Sequence, residues 1–180
     1  EVQFMSELLT VLTQCAVLIA IYMTVWFVVA LIRKDNSVAD IAWGLGFVLI
    51  AAVTLLRGGD WAARPVLVTA LVFIWGLRLA VHILLRNRNR GEDPRYAAWR
   101  AKWGRWFVVR SYLQVFLLQG LFLLVISYSV ILINTSVSGS PHPLGFLDLA
   151  GTVVWVVGFL FEAVGDAQLS RFRRDPGSRG

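Results

Sequence analysis

Long apolar runs separated by short clusters of cations dominate this chain. Five stretches approach the roughly 20 residues that a helix needs to cross about 30 Å of hydrocarbon. They are residues 8–32, 38–56, 66–85, 112–133 and 144–169. The last is the least pure, because Glu162 and Asp166 fall inside it. The pattern predicts an all-α integral membrane protein, a single membrane domain over 1–180 with five transmembrane helices in this chain. No internal repeat or low-complexity tract interrupts it.

Between the third and fourth runs the segment "EDPRYAAWRAKWGRWFVVR" has its own periodicity. Asp93 can cap a helix whose first turn holds Pro94, and the spacing predicts a helix over 94–108. Tyr96, Trp99, Trp103 and Trp106 then share one face, with Arg95, Lys102 and Arg105 away from it. That is the pattern of an amphipathic helix lying at the membrane interface, with rings in the headgroup zone and cations toward anionic lipid. Lipid anchoring and covering a bound cofactor are both open roles for it. In "DNSVADIAWGLGF", Ser37 and Asp40 stand at capping-box spacing where the second run begins. Ala42 and Gly46 are a small-xxx-small pair that admits a close helix neighbour, and Trp43 suits an interface. Gln119 is expected to make an interhelical hydrogen bond. Asn134-Thr135-Ser136 reads as a glycosylation sequon, and His142, between Pro141 and Pro143, has no neighbours to make it a metal ligand.

Composition agrees with the bilayer. Hydrophobic residues make up 58% of the 180, and mean hydropathy is +0.69. The net charge of +6 does not call for nucleic acid, because the cations sit between apolar runs, where membrane topology accounts for them. Arg33 and Lys34 follow the first run, eight cations from Arg86 to Arg110 follow the third, and Arg171, Arg173, Arg174 and Arg179 follow the fifth. The alternate connections carry only Arg57 and Arg64. Fourteen against two predicts an N-terminus outside and basic loops in the cytoplasm, as in a bacterial inner membrane protein. Cys15 is the only cysteine, so an internal disulfide is excluded.

Candidate chemistry lies in two polar stripes. An ionised side chain inside a spanning helix costs a few kcal/mol unless it is paired or wetted (about 2.5–3.5 on insertion scales). Arg78, His82 and Arg86 follow at i, i+4 and i+8, with Asn89 three further on. Glu162, Asp166, Ser170 and Arg173 form a second stripe near the end of the fifth run. Either the stripes neutralise each other as salt bridges, or they face a cytoplasm-open cavity with acids deep and arginines at its mouth. The second arrangement suits a dinucleotide, with carboxylates on ribose hydroxyls and guanidinium forks on phosphates. No cluster has metal-site spacing and no nucleophile motif is present.

The stretches "KDNSVADIAWGLGF", "WGLRLAVHILLRNRNRGEDPRYAAWR" and "GFLFEAVGDAQLSRFRRDP" together resemble a bacterial membrane family of largely uncharacterised function. That family is related to the steroid 5-alpha-reductases and shares their C-terminal domain. It is more distantly similar to isoprenylcysteine carboxyl methyltransferases and sterol C14-reductases. The resemblance implies a seven-helix fold around a cytoplasm-facing NADPH cavity. It also implies cofactor contacts from Glu162, Asp166, Arg173, Arg86, Asn89 and Arg90, to which the stripe and the terminal cations add Arg78, Arg171 and Arg174 as candidates. Val81, His82 and Arg86 match the reductases' Val-His-x-x-x-Arg stretch, but Ile83 stands where they carry a catalytic tyrosine. Relatives continue with a His-Pro-x-Tyr type motif and two more spans, so the expectation is a chain lacking its C-terminal part. The expected function is a membrane-embedded NADPH-dependent reductase of an activated C=C bond in a lipid-like or steroid-like substrate, with His82, Asp40 and Tyr96 as candidate catalytic groups. A membrane methyltransferase using S-adenosylmethionine and a non-catalytic lipid-binding bundle are the alternatives. The expected partners are membrane lipids and an apolar small molecule, without nucleic acid.

Overall fold

The computed structural model describes residues 2–59, 61–88, 91–135 and 143–174, apart from the side chains of 2–4, 173 and 174. Every regular element among them is helical: α1 (Val2–Arg33), α2 (Val38–Gly58), α3 (Ala63–Asn87), α4 (Pro94–Trp103), α5 (Phe107–Ser111), α6 (Leu118–Thr135) and α7 (Phe146–Arg174). Five helical stretches are long and apolar enough to cross a membrane, consistent with an integral membrane protein: Met5–Arg33, Val38–Gly58, Ala63–Asn87, Pro94–Thr135 and Phe146–Phe172. Each contains or nearly contains one expected run. The chain forms two compact units, Glu1–Pro141 and His142–Gly180.

In the first unit α2 is the central helix and packs on α1, α3 and α6. Its burial follows from small residues on several faces. Ala39, Ala42, Ile50 and Ala51 have no measurable exposure. The expected close approach at Ala42 and Gly46 is present: the Tyr22 hydroxyl donates to the Ala42 carbonyl at 2.8 Å, and a Cβ on Gly46 would meet the Leu123 side chain at 2.2 Å. A second approach has no counterpart in that reading. Gly44 and Gly76 face each other backbone to backbone, and a Cβ on either would lie 2.7–2.8 Å from the other's carbonyl oxygen. Around this seam Trp43, Phe47 and Trp75 make edge-on ring contacts at 5.1 and 5.4 Å. Outward residues such as Ile21, Ile32 and Leu85 stay exposed, as lipid-facing side chains do.

The fourth expected run is not an isolated span. From Pro94 to Thr135 the backbone stays helical through changes of pitch. Gly104 (φ +47°, ψ −124°) ends α4, a 3₁₀ turn covers Gly104–Trp106, and a π-helical segment covers Tyr112–Leu117. The helix expected over 94–108 therefore stops at Trp103. The face expected for it is also revised. Tyr96, Trp99, Trp103 and Phe107 form a ladder with ring centroids 5.5, 5.3 and 6.1 Å apart. Trp106, displaced by the break, points out beside Arg105.

Away from the α1–α2 turn, Asn134 is a buried hub. The two hydrogens of its Nδ2 are shared among the Ala51 carbonyl (3.1 Å), Thr54 Oγ1 (3.0 Å) and Thr69 Oγ1 (3.1 Å), so one amide joins α2, α3 and α6. At 2% exposure it is no glycosylation acceptor, which corrects the sequon reading at this residue; Ser136 and His142 lie outside the described residues.

The helix seam gives a direct expectation. Gly76→Val forces α2 and α3 apart and should destabilise the bundle by on the order of 1–3 kcal/mol. Gly91→Ala, where an added Cβ meets nothing within 4 Å, should leave thermal unfolding in detergent unchanged.

Candidate functional site

The site begins at the turn between α1 and α2. Helix α1 ends with Lys34 in the left-handed region (φ +53°). The Asp35 amide donates to the Ala30 carbonyl at 3.0 Å and the Lys34 amide to Leu31 at 3.3 Å, a Schellman closure with lysine where glycine is usual. Asp35 Oδ1 then accepts from the Ser37 amide at 2.8 Å. This tight turn leaves Asn36 and Ser37 buried at 1% exposure.

Both residues reach across to the segment before α4, and Asn36 also to α5. The Asn36 amide donates to Glu92 Oε1 at 3.0 Å, and Asn36 Nδ2 donates to Ser111 Oγ at 2.6 Å. Ser37 Oγ accepts from the Asp93 amide at 2.8 Å. Glu92 is itself held by a forked pair from Arg100, with Nε to Oε2 at 2.9 Å and Nη2 to Oε1 at 2.8 Å. Arg100 also donates to the Lys34 carbonyl at 3.2 Å and lies 4.0 Å over the Phe107 ring.

Asp40 sits one turn into α2 and belongs to the same assembly. Its Oδ1 accepts from the Tyr96 hydroxyl at 2.8 Å and its Oδ2 from Arg95 Nη2 at 3.1 Å. The capping box expected of Ser37 and Asp40 is therefore overturned: Ser37 makes no side-chain cap bond, because its hydroxyl is used by Asp93 and the Asp40 carboxylate by Tyr96 and Arg95. The cap expected of Asp93 is present, since Asp93 Oδ1 accepts from the Arg95 amide at 3.0 Å. Its carboxylate also takes the Arg95 side chain, from Nε at 3.0 Å. These Arg95 hydrogen bonds hold the Asp93 carboxyl below the usual carboxylate range.

Beside Asp40 opens a cavity of about 330 Å³, lined by Asp40, Trp43, Leu79, Ile83, Arg86, Arg95 and Gln119. Its walls come from α2, α3, α4 and α6. Asp40 and Arg86, two expected site residues, line it, and Tyr96 is bonded to Asp40. Arg78 and His82, half-buried on α3, are not among the lining residues. Leu79, Ile83 and Arg86 are the i, i+4 and i+7 face that α3 turns to the cavity. Arg86 Nε donates to Asn87 Oδ1 at 3.3 Å. Gln119 does not form the expected interhelical bond: its buried Oε1 has no hydrogen-bond partner among the described residues. Asn89 and Arg90 lie outside the described residues, as do the Arg173 and Arg174 side chains.

The second unit carries Glu162, Asp166 and Arg171 on α7, where the i, i+4 spacing puts the two acids on one face of that helix. Sequence reading missed Glu92, Asn36 and Ser111. Two polar residues immediately before a span, and a serine where another starts, were the available signal.

The lowered Asp93 carboxyl gives a pH signature. A carboxyl depressed on folding adds stability that is complete above its ordinary value of about 3.9 and is lost as pH falls through the lower folded value. Asp93→Asn should therefore reduce stability at neutral pH and flatten the loss between about pH 4 and 2, measured by unfolding midpoints.

No curated protein and no solved structure matches the chain. A family model described as "Protein of unknown function (DUF1295)" matches residues 26–180.

Proposed function

Because the chain belongs to that family of unknown function, we propose from its chemistry that it is a membrane-embedded NADPH-dependent reductase acting on an activated C=C bond in a lipid-like substrate. The carrying observation is the Asp40–Tyr96 hydrogen bond at 2.8 Å beside an apolar-walled cavity that also receives a guanidinium. Kinship to the steroid 5-alpha-reductases, a seven-helix whole and cytoplasmic placement of the Asp40 end, with α4 at the membrane interface, belong to this proposal.

The residues present fit a phosphate-bearing cofactor in kind. Arg86 brings a cation to the cavity, and about 330 Å³ is within the ordinary size of a ligand site. Arg86, with Arg78, Asn89 and Arg90 of the same unit, supplies the candidates for phosphate. Bound NADPH would supply the hydride.

The chain's own groups supply position and a proton. Trp43, Leu79 and Ile83 give the cavity its apolar wall. Asp40 fixes the Tyr96 hydroxyl by accepting its hydrogen bond, while Arg95 balances the carboxylate charge. The pair holds a proton beside the cavity for the carbon opposite the hydride. Asp40, which lines the cavity and holds the Tyr96 hydroxyl, carries this role better than His82, which is absent from the lining.

Thermal shift on the full chain tests the cofactor. NADPH should raise the midpoint and S-adenosylmethionine should not; the reverse result would turn the reading to a methyltransferase. Arg86→Gln should weaken NADPH binding about tenfold. Tyr96→Phe should leave cofactor binding intact while lowering NADPH consumption by on the order of a hundredfold with an active substrate.

A further inference from the structure

The cavity is lined by a polar side chain that the reductase proposal does not use. Gln119 lies on α6, eight residues beyond Ser111, which is tied to the α1–α2 turn by Asn36. At 1.5 Å per residue that is roughly 12 Å further along the helix. Its Oε1 is buried without a partner among the described residues, yet the side chain lines the same cavity as Trp43, Leu79 and Ile83. An amide oxygen removed from water without a hydrogen bond is costly, and more so where lipid replaces water around the fold.

A single-turn irregularity lies just before it. The π-helical segment Tyr112–Leu117 inserts an extra residue into the helical register immediately before Leu118. That shift sets the direction in which Gln119 leaves α6, and such segments recur at functional sites. In the same segment Phe116 and Val115 are buried in the core.

We infer that Gln119 is the specificity-determining contact of the cavity, holding the single oxygen function of a neutral lipid-like ligand, an alcohol or a carbonyl compound. The ligand's apolar body lies against Trp43, Leu79 and Ile83, and its oxygen completes the hydrogen bonding of the amide. An O–H donates to Gln119 Oε1 once the amide turns that atom toward the cavity, whereas a carbonyl accepts from Nε2. A neutral oxygen function is favoured over a charged one at Gln119, because the amide offers no charge and both lining cations have other roles: Arg95 is committed to Asp40 and Asp93, and Arg86 is the phosphate candidate of the proposed reductase. The inference rests on the cavity being the substrate site of the proposed reductase, and it narrows that substrate to one with an oxygen some distance from the Asp40 end.

The test is equilibrium binding of radiolabelled geraniol and of its deoxy hydrocarbon, 2,6-dimethyl-2,6-octadiene, to the full chain in nanodiscs. Values are referenced to protein-free nanodiscs, and NADPH is omitted. The alcohol should bind about tenfold more tightly than the hydrocarbon. Gln119→Leu should abolish that preference and raise the unfolding midpoint without ligand, because the unpaired amide is gone; Gln119→Met, close in length, should do the same if leucine disturbs packing. Equal affinity for the two ligands in the unmutated protein, or a preference that survives both substitutions, overturns the role of Gln119. Because the assay contains no cofactor, that failure is distinct from a failure of NADPH to bind.

Discussion

The first unit depends on one contact, the clasp between the α1–α2 turn and the segment that starts α4. Glu92 is its centre: it accepts from the Asn36 backbone and from both arms of Arg100. The carboxylate is 12% exposed and fully engaged, whereas the arginine keeps 38% of its surface in solvent. A largely covered acid with three donors is well compensated, and loss of any donor leaves charge uncovered. The clasp also fixes chain direction. With Ser37 holding the Asp93 amide and Asn36 holding Ser111, Tyr96 is placed where its hydroxyl meets Asp40, and the cavity acquires its polar wall.

The helices themselves were largely legible in the sequence, because apolar run length is set by bilayer thickness and leaves a strong periodic mark. The Asp93-Pro94 start of α4 was equally plain, since capping chemistry is local. What failed was whatever depended on a distant partner. Ser37 and Asp40 have capping-box spacing, but a carboxylate facing a tyrosine 56 positions later finds a better use than a helix amide. Trp106 has the right spacing for the aromatic face, yet Gly104 breaks the helix before that spacing applies. Asn134 matches an acceptor tripeptide by pattern alone, while its amide is spent on three partners.

The candidate site shows the same division. Asp40, Tyr96 and Arg86 stood out as polar groups near apolar runs, and they come together because the clasp brings α4 over α2. Glu92 was unremarkable in the sequence, being one acid in a charged connection. Gln119 looked like ordinary interhelical glue; only the arrangement of four helices around it shows that its side chain lines a cavity while its oxygen finds no partner among the described residues.

The Asn134 hub has a mechanical consequence for this bundle. Three helices are riveted near one end through a single amide, and Gly58 lies so close there that an added methyl would sit 1.9 Å from the Asn134 carbonyl oxygen. The Gly44–Gly76 seam adds a second rivet partway along. Helices fastened in this way resist parting at that end, so any strain on the bundle falls on the opposite end, where the Glu92 clasp ties the α1–α2 turn to the segment before α4.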